Sequence, residues 1–150
     1  MALIESEHLE LKKSTAELKE AIISIAAILN KHKKGTLYFG VRNGGEVIGQ
    51  NVSEATLREV SQMISNNIEP RIYPEIHLEK MDGKDCIRVL FEGHEQPYFA
   101  YGRAYTRVAD EDRQLSVKEL ENLIMRKNSK HWDSEICKTA KITDINISRI

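Results

Sequence analysis

The chain has 150 residues, of which 41% are hydrophobic and 30% charged, a composition typical of one globular domain. Its formal net charge of −1 excludes a bulk polycation of the histone kind, so any nucleic-acid surface must concentrate positive charge on one face. No stretch approaches the roughly 20 apolar residues of a membrane span, and two cysteines are too few for a disulfide framework or a zinc site, so we expect a cytoplasmic protein.

The first predicted elements are a strand and a helix. The segment HLELKK alternates, with Leu9 and Leu11 on one face and polar residues on the other, which predicts a half-buried strand. Ser14 and Glu17 have the spacing of a capping box and open a helix with apolar residues at helical spacing. We expect Gly35 to end this helix.

A hairpin follows the helix. TLYFGV predicts a strand with Leu37, Phe39 and Val41 on one face, and EVIG predicts the returning strand. RNGG predicts the tight turn between them, because Asn and Gly tolerate positive φ. The glycine pair does not predict a phosphate loop, since a P-loop needs a lysine and a following helix.

The second half of the chain predicts a helix, a second hairpin, and a final strand and helix. The helix runs from about Ser53 to Asn67, and Pro70 ends it. The turn DGK joins the strands IYPEIHLEKM and DCIRVLFEG. AYTRVAD alternates as a further strand, and Ser116 with Glu119 forms the capping box of the last helix.

The predicted order is β-α-β-β-α-β-β-β-α, which indicates an α+β fold with a mostly antiparallel sheet and packed helices. We expect residues 1–128 to form the domain and residues 129–150 to form a C-terminal extension. In that extension we expect Trp132 to fold back on the domain. The last segment, KITDINISRI, reads as the start of a further part of a longer protein.

Spacing argues against several kinds of catalytic or cofactor site. The histidines lack a metal-ligand spacing such as HxxxH, and the chain has no GxSxG nucleophile motif and no GxGxxG dinucleotide motif. We therefore expect no cofactor. Glu5 and Glu10 are the exception, because clustered carboxylates beside a basic surface can hold a divalent metal that activates water. The alternative is that they form ordinary ion pairs with Lys12 and Lys13.

Positive charge is concentrated in a few segments, above all in the run from Lys31 to Lys34. This run has two interpretations. Cations at the C-terminal end of a helix complement its dipole, and exposed lysines contact phosphates. The candidate nucleic-acid-binding residues are Lys12, Lys13, Lys31, His32, Lys33, Lys34, Arg42, Arg103 and Arg107.

Several ordered motifs resemble the AlbA-like, Schlafen-type DNA-binding domain. HLELKKS resembles its ExxEFKxS opening, and AAILNKHKKGTLYFGVRNGGEVIGQ resembles its central glycine-containing motif. GKDCIRVLFEGHEQPYFAYGRAYTRVADEDRQLSVKELENL resembles its later hallmark, in which a proline and tyrosine precede an arginine and the last helix. The resemblance covers about residues 5 to 127.

The resemblance implies an α+β nucleic-acid-binding module at the N-terminus of bacterial transcriptional regulators or helicase-related proteins, followed by an ATPase-like region. In the Schlafen branch it implies an endoribonuclease site of three carboxylates. Two of these match Glu5 and Glu10, and the third position holds Asn43. An amide supplies only a neutral oxygen to a metal, so we expect this domain not to be an enzyme. The family's NTxGG is replaced by Asn30 and KHKKG, which adds positive charge.

The sequence therefore predicts a module that binds DNA or RNA, with no membrane partner, through phosphate contacts of its basic face. Tyr101 and Tyr105 alternate with Arg103 and Arg107, which favours stacking on unpaired bases, although Tyr105 is as well explained by packing in the sheet. Two alternatives remain open. One is a divalent-metal-dependent endoribonuclease that uses Glu5 and Glu10. The other is a homodimerisation module, paired through edge strands, for a downstream ATPase-like region.

Overall fold

The computed structural model describes residues 3–128 of the chain. The chain divides into two compact units, Met1–Leu115 and Ser116–Ile150. The described elements of the first unit, in chain order, are β1 (Leu9–Lys12), a 3-10 turn (Thr15–Glu17), α1 (Leu18–His32), β2 (Lys34–Phe39), α2 (Glu54–Asn67), β3 (Ile68–Glu69), β4 (Glu75–Met81), β5 (Lys84–Glu92), β6 (Phe99–Ala100), β7 (Arg103–Val108) and β8 (Glu111–Gln114).

The second unit is described as far as residue 128. Residues 117–128 form a helix, α3. The Ser116 hydroxyl accepts a hydrogen bond from the Glu119 amide at 3.1 Å, and the Glu119 carboxylate accepts one from the Ser116 amide at 3.0 Å. This reciprocal pair confirms the predicted capping box. The expected fold-back of Trp132 lies outside the described residues, as does the extension 129–150.

The strands form two sheets of four. The first has the order β1-β2-β5-β4, in which β1 and β2 are parallel and the other pairs antiparallel. The second is antiparallel, with the order β3-β6-β7-β8. Helix α1 connects the parallel pair and contacts strands of both sheets. Its apolar residues and the inner faces of both sheets share one hydrophobic core. The predicted α+β class is confirmed.

Helix α1 begins and ends differently from the prediction. Ser14 caps the 3-10 turn rather than α1, by accepting a hydrogen bond from the Ala16 amide at 3.1 Å. At the other end Lys33, with φ of 70°, takes the left-handed position that closes the helix. Gly35 instead lies in β2, where an added Cβ would come within 2.7 Å of Ile28 Cγ2. Its role is close packing of β2 on α1, not helix termination.

The hairpin after β2 is only partly as predicted. The RNGG turn is confirmed, because the Gly45 amide donates to the Arg42 carbonyl at 2.8 Å. The returning strand is reduced to a single bridge between Val41 and Val47. The amides of Gly40 and Val41 both donate to the Lys12 carbonyl, which interrupts the alternation as a bulge does. Val41 therefore joins a smaller apolar cluster, away from the one that contains Leu37 and Phe39.

Helix α2 and the second hairpin agree with the prediction. Ser53 caps α2, which ends at Asn67 before Pro70, and β4 and β5 meet at a turn in which Asp82 and Gly83 have positive φ. The short strands β3, β6 and β8 were not predicted, because two to four residues carry too little periodicity to recognise. Within residues 3–128, no helix has the length and apolar content to cross a bilayer.

Candidate functional site: an acidic pocket beside a buried arginine

Several titratable groups surround one open pocket of about 450 Å³. The pocket lies where the polar face of β1, the middle of α1 and the β7–β8 hairpin meet. Its lining residues are Glu5, Glu10, Lys12, Glu20, Ile23, Asn43, Asp110, Glu111 and Asp112. The structure thus brings together Glu5, Glu10 and Asn43, the three positions that the resemblance singled out. Most of the lining is acidic, which disfavours a phosphate inside the pocket.

Arg107 pairs with two of the carboxylates that line this pocket. Its side chain is 0% exposed, and its Nη1 lies 3.1 Å from Glu10 Oε2 and 2.7 Å from Asp112 Oδ1. The remaining guanidinium hydrogens are donated to the carbonyl of Ser6, at 2.9 Å from Nη2, and to that of Leu9, at 3.3 Å. Its burial and these internal contacts count against the predicted contact of Arg107 with phosphate.

Strand geometry explains why these groups meet. Arg107 on β7 and Asp112 on β8 are directly opposite in the antiparallel register, so their side chains share one face. Glu10 lies on the face of β1 that α1 covers, where the Ser24 hydroxyl donates to Glu10 Oε2 at 2.8 Å. The Ser24 hydroxyl also contacts the Asp112 carboxylate. Glu10, which the alternation placed on the polar side of β1, is only 4% exposed.

The two glutamates have opposite protonation behaviour. Partial burial, a hydrogen bond to Glu10 and the charge of Glu10 raise the pKa of Glu5 to about 8. Burial alone would raise the pKa of Glu10 as well. Hydrogen bonds from Glu5 and Ser24, with the charges of Lys12 and Arg107, instead hold it below its usual value. Glu10 is therefore the member of this coupled pair that is favoured as the anion.

This arrangement does not fit a divalent metal. The anionic glutamate, Glu10, is neutralised by Arg107 and has Lys12 Nζ 3.7 Å from Oε2. Asn43 contributes only a neutral amide oxygen and no charge. Among residues 3–128, no three His, Cys, Asp or Glu side chains are arranged to hold a metal ion. In this fold the carboxylates of Glu10 and Asp112 pair with the guanidinium of Arg107.

A second cluster ties the N-terminal segment to the end of α1. Glu7 accepts from Lys31 Nζ at 2.9 Å and lies 2.8 Å from His32 Nε2, and it also accepts from the Ala109 amide at 3.3 Å. Hydrogen bonds from Lys31 and His32 lower the pKa of Glu7 to about 2. The ring of His32 is 4.0 Å from that of His8. Two of the candidate phosphate ligands are thus engaged with a carboxylate.

The remaining candidate cations form separate groups rather than one face. Lys33 and Lys34 are exposed at the start of β2 and form no ion pair with a described residue. Lys12, Lys13 and Arg42 lie at the other end, because β1 runs parallel to β2 and its last carbonyl binds the bulge after β2. Six residues of β2, at ~3.3 Å each, separate the two groups by about 20 Å.

The tyrosines differ in their accessibility. Tyr101 is 37% exposed, and Lys19 Nζ lies 5.4 Å from the centre of its ring. Tyr105 packs against the hydrophobic core, so packing accounts for it. Arg103 is exposed near Tyr101, with its Nη1 3.5 Å from Gln114 Oε1.

Sequence reasoning missed Ser24 and Asp112 as members of the acidic site and misjudged Arg107. Ser24 had no signal, because a serine within an apolar helix is unremarkable until its partner is known. Arg107 and Asp112 did carry a signal in the sequence, since they lie in two short alternating segments on opposite sides of one turn. A hairpin prediction there would have placed the two side chains together.

Comparisons with known proteins agree with this fold. The family model described as "Schlafen, AlbA_2" matches residues 5–116, a range that includes Glu5, Glu10 and Arg107. No curated protein matches the chain.

Two solved structures are similar in fold. The DIP2311 protein from Corynebacterium diphtheriae has a TM-score of 0.61 and 16% sequence identity, over 73% of this chain and 22% of that one. The N-terminal domain of an ATP-dependent DNA helicase RecG-related protein from Nitrosomonas europaea has a TM-score of 0.55 and 21% identity, over 77% of this chain and 87% of that one. This chain thus spans about a fifth of the length of DIP2311.

Proposed function

The chain belongs to the Schlafen, AlbA_2 family, and on this premise we propose that it is a nucleic-acid-binding module of the transcriptional-regulator kind, with duplex DNA as its first ligand. The name of the Nitrosomonas europaea neighbour, a DNA helicase-related protein, supports a nucleic-acid context. The proposed contacts are electrostatic and made to the phosphate backbone, so they give affinity with little reading of sequence.

The observation that carries the proposal is the accessibility of Lys33 and Lys34. The left-handed turn at Lys33 ends α1, and β2 begins at once, so that both side chains lie on the surface. The Gly93 amide donates to the Lys33 carbonyl at 2.8 Å, which holds the backbone of this corner against the end of β5. Because the backbone of this corner is already fixed, a phosphate contact has to order only the two lysine side chains and not the chain that carries them.

The group at the other end of β2 is the second proposed contact. Arg42 is exposed and pairs with the equally exposed Glu46 at 3.3 Å, an interaction that water and salt weaken. Lys13 is also exposed. Lys12 is less suitable, because it is only 17% exposed and faces Glu10. Phosphate contacts at this end would therefore be made by Lys13 and Arg42 beside the acidic pocket, not inside it.

The test is a fluorescence-anisotropy titration of the full chain with duplex DNA, single-stranded DNA and hairpin RNA at several salt concentrations. With Lys33, Lys34, Lys13 and Arg42 on phosphates, the slope of log K against log salt should be about −3.6, at about −0.9 per contact on duplex DNA. The double substitution Lys33→Glu and Lys34→Glu should reduce this slope by about 2 and weaken binding to every sequence alike.

A matched control separates the effect of the Lys33 and Lys34 positions on DNA binding from the effect of net charge. Arg58→Glu with Arg71→Glu changes the net charge by the same amount at two other exposed positions. The proposal requires that this control bind much more tightly than the Lys33 and Lys34 variant. Equal weakening of both variants would mean that only overall charge matters, and it would contradict the proposed corner.

A metal-dependent endoribonuclease is the second candidate, because Glu5, Glu10 and Asn43 line one pocket. The ion pair between Glu10 and Arg107 and the neutral amide of Asn43 count against it. The discriminating measurement is cleavage of hairpin RNA in Mg²⁺ or Mn²⁺ by the unmodified chain and by Glu10→Gln. Cleavage that disappears in Glu10→Gln would favour the nuclease, and intact RNA in every reaction would exclude it.

A further inference from the structure

Strand β4 is an outer edge of the first sheet, so one side of its backbone can pair with a further strand. Among the described residues it pairs with β5 alone. Leu78 in its middle is 48% exposed, and Tyr73, just before the strand, is 82% exposed. An unpaired edge with exposed apolar side chains is a template for pairing with another strand. At seven residues, β4 is slightly longer than a typical strand, and Leu78 lies at its centre.

We propose that β4 pairs with β4 of a second copy of this chain, antiparallel and about a twofold axis through Leu78. Two identical strands of one sheet can pair about such an axis only if it passes through a residue position. The reason is that directly opposite residues must point to the same face of the sheet. All seven residues from Glu75 to Met81 are paired only when that position is the middle one, Leu78.

The side chains of this register are self-complementary. The two Leu78 side chains meet on the axis and cover each other's exposed apolar surface. His77 lies opposite Glu79 of the second copy, and the symmetry makes this pair twice. Ile76 faces the long alkyl chain of Lys80, and Glu75 faces Met81. No like charges are opposed anywhere along the strand.

The neighbouring registers are less favourable for the same sequence. An axis through His77 places Glu75 opposite Glu79 of the second copy, and the symmetry makes this pair twice. An axis through Glu79 places the Glu79 carboxylates of the two copies directly opposite each other. Like charges directly opposite destabilise a strand pair. Charge therefore selects the same register that full-length pairing selects, and these two arguments are independent.

The register also accounts for the exposure of Tyr73, because it gives this ring a surface to cover. Continued beyond the strand end, it brings Tyr73 opposite Gly83 of the second copy, in the β4–β5 turn. A Cβ built on Gly83 meets nothing within 4 Å, so the space above this glycine is open. An aromatic ring placed over a glycine of the neighbouring strand covers backbone that would otherwise be solvated.

The contact is small, because it is one strand on each side with its flanking tyrosines. Interfaces well below about 1,200 Å² belong to weak, reversible complexes, so we expect a Kd on the order of 100 µM. Sedimentation equilibrium of the full chain, from about 10 µM to about 1 mM, covers this range. A chain that remains monomeric over the whole range would overturn the proposal.

Adding a negative charge at position 77 tests the pairing itself. His77→Glu opposes two carboxylate pairs and should weaken the dimer at least about tenfold. The swapped variant His77→Glu with Glu79→His restores opposite partners and should recover most of that loss. His94→Glu is the matched control, since His94 is exposed but lies outside β4. Equal weakening by His94→Glu, or a dimer indifferent to His77→Glu, would place the interface elsewhere.

Cross-linking tests the register. Leu78→Cys places two thiols on the axis and should yield a disulfide-linked dimer on mild oxidation, because directly opposite Cβ atoms are about 4.5–5.5 Å apart. Lys80→Cys places its thiol opposite Ile76 and should cross-link far less. The unmodified chain, oxidised in parallel, measures the contribution of Cys86 and Cys137. Equal cross-linking at positions 78 and 80 would contradict the register.

Discussion

Replacing Arg107 by methionine tests whether its guanidinium holds the acidic site together. Methionine retains the apolar volume of the side chain but removes the charge and every hydrogen bond. The loss leaves Glu10, 4% exposed, and the mostly buried carboxylate of Asp112 without their shared cation. Breaking a buried ion pair by removing one partner costs about 3–5 kcal/mol.

The expected cost is at the lower end of that range. After the substitution, the Ser24 hydroxyl still donates to Glu10 at 2.8 Å, and Lys12 remains 3.7 Å away. We therefore expect Arg107→Met to lower the free energy of unfolding by about 3 kcal/mol, which corresponds to a decrease in Tm of roughly 10 °C for a domain of this size. Urea unfolding followed by circular dichroism measures the free energy directly.

A second substitution separates the charge effect from loss of packing. Glu10→Gln removes one of the carboxylates that Arg107→Met leaves without a cation. The variant with both substitutions should therefore be more stable, by about 1–3 kcal/mol, than the sum of the two single losses predicts. A loss below about 1 kcal/mol for Arg107→Met would refute the reasoning. Strictly additive losses would refute the direct pairing of Arg107 with Glu10.

Three further predictions follow from other contacts. Glu5→Gln should stabilise the protein near pH 8 but not near pH 4, and Tm measured against pH tests this. The pKa of Glu5 is raised to about 8 in the folded chain. Above pH ~4.5 Glu5 therefore ionises in the unfolded chain but not in the folded one, which costs stability. Asn30→Ala should cost about 2 kcal/mol in urea unfolding, because Asn30 donates to the carbonyls of Tyr98 and Tyr105 and accepts from the Tyr98 amide; a loss near zero would contradict this. Gly35→Ala should cost about 1–3 kcal/mol in the same assay, since the new Cβ would meet Ile28 and Phe91, and unchanged stability would show that β2 and α1 can separate.

The helices and the longer strands were predictable because their signals are local. The start of α2 near Ser53, the capping box at Ser116, the alternation of β1 and the DGK turn each depend on residues close in sequence. The end of α1 was missed because glycine normally supplies the left-handed position, and here Lys33 adopts it. Gly35 is required instead by a contact with Phe91, which no local pattern reveals.

In the candidate site, too, some features were predictable from the sequence and the contacts between distant residues were not. Glu5, Glu10 and Asn43 were identified by a resemblance, and the structure places all three on one pocket. The contacts of Glu10 with Ser24 and Arg107 join residues 14 and 97 positions apart. An arginine in an alternating strand reads as a surface cation from sequence, and only the packing of β7 against α1 reveals that it is buried.

The most direct measurement for the proposed function is the salt dependence of duplex DNA binding by the unmodified chain and by the Lys33→Glu, Lys34→Glu variant. The proposal predicts a slope of log K against log salt near −3.6 for the unmodified chain, and a slope shallower by about 2 for the variant. An affinity that does not change with salt, or a variant with the same slope and affinity as the unmodified chain, would contradict it.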